Sequence, residues 1–300
     1  MTGLFALCRR NVKLYFKDRG MFFSSLITPV ILLVLYVTFL KKVYDDSFRS
    51  ALAAAGAAAS DAVINGCVGG QLVSSLLAVS CVTVAFCSNL LMIRDKTSGA
   101  RHDLTVTPVR YCTLGLSYCL SSLVSTLIIG FAALAACLGY LGMVGWCLSA
   151  ADVALLCLDV ILLTMFGTAL SSCVNFFLST DGQASAVGTI ISAGYGFICG
   201  AYMPISNFGD GLQKVLSFLP GTYGTSLLRN HAMRGAFEKM RAEGFPQEVV
   251  EGIRDSVDCN LYFFGNEVSV GAMYGILIGS IVLLTAVYAG MNILSEKRQG

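Results

Sequence analysis

The sequence predicts an all-α integral membrane protein with six membrane-spanning helices, an N-terminal amphipathic helix on the membrane surface, and a short re-entrant or surface-lying helix before the last span. Three observations carry this. Hydrophobic residues make up 56% of the 300 and charged residues only 13%, about half the charged share of a soluble domain. Apolar runs of about 20 residues recur, the length that crosses a hydrocarbon core about 30 Å thick at 1.5 Å per residue. The basic residues gather in short clusters at alternate ends of those runs, and with a net charge of only +2 they give no continuous basic face for a nucleic-acid partner.

Residues 1–20 form the first element. Leu4, Leu7, Cys8, Val12, Tyr15 and Phe16 fall on one helical face, and Arg9, Lys13 and Lys17 recur every fourth residue on another. Such a helix lies along the inner membrane surface with its cations towards anionic lipid, or else extends the first span. The six runs extend approximately from Met21 to Leu40, Cys67 to Ile93, Cys112 to Leu138, Ala151 to Val174, Ala184 to Met203, and Ser269 to Asn292. A cleaved signal peptide is the alternative for the first run, because A-x-A patterns occur in Ala51 to Ala59. The polar stretch Lys41 to Ser50 separates the run from any such cleavage site and favours a retained helix.

Orientation follows from lysine and arginine, which resist translocation. Arg9, Arg10, Lys13, Lys17 and Arg19 precede the first run, Arg94, Lys96, Arg101 and Arg110 lie between the second and third, and Lys297 and Arg298 end the chain. A six-span topology puts all three segments on one side, the cytoplasm, with both termini there. From Arg229 to Glu267, on the opposite side, five basic residues meet seven acidic ones. The outer stretch 204–268 opens with Leu212 to Leu219, too short to span and stopped by Pro220. Arg229 to Asp258 then reads as a charged external helical excursion divided at Pro246. No repeat or long low-complexity linker divides the chain, so residues 1–300 read as one membrane domain.

Chemistry-bearing residues are sparse. Cys81, Cys87, Cys119, Cys157, Cys173 and Cys199 sit inside apolar runs with no CxxC spacing and read as small buried hydrophobes. Cys67 and Cys259 fall on the outer side, as two free thiols or a bridge. No G-x-x-x-x-G-K-[ST] occurs, so ATP binding by this chain itself is not expected. His102 and His231 are predicted on opposite sides of the membrane, each a surface residue, which argues against a shared metal or catalytic arrangement. Asp159, midway along the fourth run, costs about 2.5 to 3.5 kcal/mol to insert and must face protein or water. It belongs to a transport path or proton site, or hydrogen-bonds a neighbouring helix. Asn89 and Asn175 are weaker marks of the same kind.

The loop Asp95-Lys96-Thr97-Ser98-Gly99-Ala100-Arg101-His102-Asp103-Leu104-Thr105-Val106-Thr107-Pro108 resembles the cytoplasmic loop of ABC-2 type transporter permeases. An acidic-basic pair, a glycine four residues after the acid and a Thr-Pro ending nine beyond the glycine recur there. Asp95 stands where the family usually has glutamate, and Ala100 where it often has threonine. Gly200-Ala201-Tyr202-Met203-Pro204-Ile205, followed by Pro220-Gly221-Thr222-Tyr223 and Leu228-Arg229, looks like the outer segment of the same family. Asn207-Phe208 replaces its frequent Leu-Pro pair.

The resemblance implies the membrane subunit of an ATP-binding cassette exporter in the cell membrane. Two six-helix permeases, identical or different, pair, and each sits on a separate cytoplasmic ATPase subunit that holds the ATP; this chain binds no cofactor or metal and is not itself an enzyme. Residues 94–111 become the coupling loop, with Arg94, Asp95, Lys96, Gly99, Arg101 and Pro108 in that role. Asp159 and Asn89 become candidates for the transport path, and Pro204, Pro220, Tyr223 and Arg229 mark the outer segment. The competing readings are an ion-gradient-driven transporter or channel using Asp159, and a membrane enzyme or scaffold acting on lipid. The first lacks an inverted-repeat signal, and the second lacks a cluster of catalytic side chains on one side of the membrane.

Overall fold

The computed structural model describes residues 2–54, 60–107 and 109–299. Pro108 of the expected coupling loop and residues 55–59 of the alanine tract lie outside the described residues, as do the side chains of Lys297 and Arg298. Helix α1 (Thr2–Lys17) turns at Asp18 into α2 (Arg19–Leu35), which runs through one π turn (Tyr36–Leu40) into α3 (Lys41–Ala54). Helix α4 (Asp61–Asn89) continues past Leu90 into α5 (Leu91–Thr97), and α6 (Ala100–Val106) folds back from it. Two long helices follow, α7 (Tyr111–Val144) and α8 (Ala150–Phe176), then α9 (Asp181–Ile198), a 3-10 turn (Ile205–Asn207), α10 (Asp210–Leu216), α11 (Pro220–Ala242) and α12 (Gln247–Ser256). A small antiparallel hairpin of β1 (Tyr262–Phe263) and β2 (Asn266–Glu267) leads into α13 (Val270–Gln299).

Among the described residues five helical stretches are long and apolar enough to cross a membrane: Arg19–Ser50, Asp61–Thr97, Tyr111–Val144, Ala150–Phe176 and Val270–Glu296. The expected run from Ala184 to Met203 is not among them. Its helix, α9, has 18 residues, opens on Asp181, Gly182 and Gln183, and stops at Ile198. Gly200 then turns the chain at φ +74°, a conformation that favours glycine.

The stretch α4–α5 is the central post. Of its apolar window 94% is buried, against 24% for the first span and 17% for the last, so those two keep most of their surface for lipid or a partner. Small residues let the neighbours close in. A Cβ added at Gly70 would lie 2.8 Å from the Ala232 carbonyl oxygen of α11, and one at Gly66 would lie 3.1 Å from Ala236 Cβ.

Helix α11 is the main departure from expectation. Pro220 does not stop the preceding short helix, which already ends at Leu216. It occupies the first turn of α11, where its missing N–H is no loss and its fixed φ suits the helix. From Gly221 to Met233 every residue of α11 is buried, packed between α4 and α8. Gly224 lies against Leu163 of α8, and Gly235 against the Cys147 carbonyl. Arg229, Asn230 and His231, expected in an external excursion, are therefore interior residues.

The end carrying residues 94–110 is here called the basic end. Measured from Arg94 along α4–α5, a core about 30 Å thick takes up about 20 residues and ends near Ser74. The first turns of α4 project beyond it. There Val63 and Cys67 meet Phe48 of α3, Phe237 and Met240 of α11, and Val250 and Ile253 of α12 in a second apolar cluster. Cys67 and Cys259 both belong to it, and both are free thiols. Burial pushes the Cys259 thiol up to about 12.

Candidate functional site

At the basic end, α5 and α6 form a helical hairpin whose turn is Gly99, at φ +81°. The charged residues of α5 point three ways. Asp95, 5% exposed, turns inward and accepts Nη1 of Arg10 at 2.7 Å, Nη2 at 3.3 Å and the Tyr118 hydroxyl at 2.6 Å. This fastens the hairpin to α1 and α7, and the carboxylate raises the Arg10 guanidinium above its ordinary value. Lys96 reaches the other way, donating to the carbonyls of Phe176 and Leu178 at 2.9 Å each. A cation on the last carbonyls of α8 offsets the negative end of that helix. Arg94 pairs with Asp18, which also caps α2 by accepting the Met21 amide at 3.0 Å. That amide, then Arg94, holds the Asp18 carboxyl below its usual range. The outer face of the hairpin is left to half-buried Arg101, exposed His102 and Asp103, and Val106 at 76% exposure.

The sequence marked Asp95 and Arg94 but not their partners, Arg10 and Tyr118 for the first and Asp18 for the second. One signal was available for Arg10. It breaks the four-residue spacing of the other α1 cations and lies beside the apolar face that carries Leu7, Asn11 and Tyr15, all buried.

A second buried carboxylate lies far from the first. Asp159, 1% exposed, accepts the Tyr274 hydroxyl of α13 at 2.7 Å and sits 2.6 Å from Nδ1 of His231 on α11. It thus ties α8, α11 and α13 together. His231 is not the surface residue expected: small residues around it let α11 press into the bundle, and it is 6% exposed. Asp159 is 17 residues from Phe176, about 25 Å of helix, which puts it near the far edge of the core rather than at its middle. His102 is exposed.

Asn89 meets neither cluster. Its amide donates to Ser172 at 2.9 Å and Ser171 at 3.1 Å on α8, part of a seam of small polar contacts between α4, α7 and α8 that includes Ser88 with Ser122 at 2.6 Å. Asn175, on the same face of α8, is fully buried with both side-chain polar atoms unpartnered among the described residues.

The outer-segment residues converge on a third buried carboxylate. Arg229, 1% exposed, donates to the Gly200 carbonyl at 2.8 Å and stands 3.5 Å from Asp258. Asp258, at φ +54°, accepts the amides of Ile205 and Ser206 just after Pro204. Tyr223 donates to the Ser217 carbonyl at 2.5 Å and closes the turn before α11. Pro204, Tyr223 and Arg229 thus hold one joint between α9, α10, α11 and α12. Asp258 was legible only as one acid among seven in its segment.

Two cavities border these elements. One of about 720 Å³ at the basic end is lined by Arg10, Lys17, Asp18, Arg94, Asp95 and Asp181, with apolar neighbours. The other, about 1350 Å³, runs between α2–α3 and α9 from Met21 to Phe48. Asp159 lines neither.

No curated protein matches the chain significantly. The family model of the ABC-2 type transporter matches residues 2–232, which includes the basic-end hairpin, Asp159 and the outer joint as far as Arg229. A match over that much of the chain, on a bundle of long apolar helices, places this protein in the ABC-2 type transporter family.

Proposed function

We propose that this chain is the permease subunit of an ATP-binding cassette exporter in the cell membrane, with α9, which runs from beside Thr97 to the outer joint, as a short sixth crossing and both termini in the cytoplasm. ATP is hydrolysed by a separate cytoplasmic ATPase, and a second permease, identical or different, completes the transporter. The observation that supports this reading best is the α5–α6 hairpin, a direct continuation of the most buried helix and fastened through Asp95, Lys96 and Arg94 to α1, α7, α8 and α2. A partner pressing on its outer face displaces the whole basic end rather than one loop. Docking then belongs to Arg101, His102 and Val106, and transmission to Asp95 and Lys96. Closure of the ATPase changes access to the long groove only if substrate binds the two arrangements differently.

The ion-driven alternative through Asp159 finds less support, since that carboxylate is engaged by His231 and Tyr274 and lines neither of the two cavities described above. Co-expression with the ATPase encoded nearest to this chain tests the proposal. Purification through a tag on the permease is expected to bring the ATPase with it, and Arg101→Glu to weaken that association. An intact permease that retains no ATPase sinks the exporter reading.

A further inference from the structure

The two cavities share Met21, Arg94 and Asp181 in their linings and so adjoin at the basic end. Their charge is distributed unevenly. In the long groove only Arg94 and Asp181 are ionisable at neutral pH, both at the basic end; Ile27, Ile31, Leu35, Phe39 and Phe197 line the length. The far mouth offers uncharged groups, among them Tyr44, Asn207 and Ser256. From Met21 to Phe48 the wall rises 27 residues, about 40 Å, and the volume exceeds the roughly 300–1,000 Å³ of sites for drug-sized ligands.

At the charged mouth Arg10 is engaged by Asp95, and Arg94 by Asp18. Two exposed charges there have no ionic partner among the described residues: the cation Lys17, and the carboxylate of Asp181, which accepts only the Thr97 hydroxyl at 3.4 Å. A long apolar furrow with one free cation and one free anion at a single end complements an amphiphile whose head carries both charges.

We infer that the groove between α2–α3 and α9 binds a zwitterionic, phospholipid-like amphiphile, its head between Lys17 and Asp181 and its chain along the furrow. The phosphate meets Lys17, the ammonium meets Asp181, and the acyl chain replaces lipid against α2 and α9. This rests on the exporter reading and names the substrate class for it. The head leaves two charges at the basic end for a mouth with none, so binding weakens towards the far side.

Purified permease in maltoside micelles, irradiated with a lysophosphatidylcholine that carries a diazirine in its acyl chain, gives the test. Label is expected in residues 21–48 and 181–203, displaced by dodecylphosphocholine and not by added maltoside. Lys17→Glu and Asp181→Lys, both at exposed positions, should each reduce labelling about five-fold, the size of one lost charge contact. Thr189→Trp, which fills the groove without touching a charge, should reduce it as well. Label spread evenly over α7 and α13, or unchanged in all three variants, overturns the inference. Label that vanishes as copies associate through α2 and α9 overturns it too, since the groove then belongs to a second copy. No ATPase enters this measurement, so loss of ATPase association removes the exporter reading and leaves the binding result standing.

Discussion

Asp95 and Asp159 are both buried carboxylates within hydrogen-bond reach of a tyrosine hydroxyl and a basic side chain, yet they differ in what that base is. At Asp95 it is Arg10, whose guanidinium brings a permanent charge and two hydrogen bonds; at Asp159 it is His231, which offers a single ring nitrogen. The first cluster therefore confines a permanent ion pair beneath the hairpin on which an ATPase is proposed to dock, while the second joins α8, α11 and α13 through one contact each from His231 and Tyr274. Similar geometry serves a permanent joint in one place and a replaceable one in the other.

Removing the two carboxylates is the strongest way to break this comparison. Asp95→Leu leaves the Arg10 cation and the buried Tyr118 hydroxyl without their acceptor and is expected to cost about 3 kcal/mol, read as a lower midpoint in thermal unfolding of the purified permease. Asp159→Leu takes one acceptor from His231 and Tyr274, with no forked guanidinium pair to break, at about 2 kcal/mol. A larger loss at Asp159 than at Asp95 would reverse the assignment of the permanent and replaceable joints.

Double substitution sharpens it. Asp159→Leu with His231→Leu is expected to recover to within about 1 kcal/mol of the parent, because a buried pair is replaced well by apolar groups, with ATP-driven export intact. Asp95→Leu with Arg10→Leu should regain stability in the same assay but not the dependence of hydrolysis on the permease. If export survives there, Asp95 is only a structural group.

The hairpin itself divides into an inner and an outer face. Lys96→Met removes the cation from the α8 carbonyls at about 1 kcal/mol and is expected to uncouple hydrolysis from transport with the ATPase still bound. Arg101→Glu should do the opposite, weakening association while the unfolding midpoint moves by no more than about 0.5 kcal/mol equivalent. Identical behaviour in the two variants would dissolve the distinction between docking and transmission.

The smallest expected effect is at Asp18. The Met21 amide and Arg94 hold its folded value below the ordinary 3.8, so its contribution is complete above that value and lost as pH falls through the lower folded one. Thermal unfolding between pH 5 and pH 3, a window taken about the ordinary carboxylate value, should show a small acid-side loss. Asp18→Asn keeps an N-cap acceptor and should flatten it.

Apolar run length fixed five of the long helices, the periodicity of residues 4–17 marked α1 as a helix, and two degenerate motifs carried the family resemblance that the match over residues 2–232 establishes. Those features are local: hydropathy, period and spacing are read along the chain without knowing what lies opposite. The error at residues 220–258 has the same root. Proline followed by charged residues reads as an external loop until a central helix supplies Gly66 and Gly70 for α11 to press against. The partners of Asp95, Asp159 and Arg229 lie 85, 72 and 29 residues away along the chain. Only packing decides such pairings, because burial makes an unpaired charge costly and so selects whichever partner the neighbouring helix brings within reach.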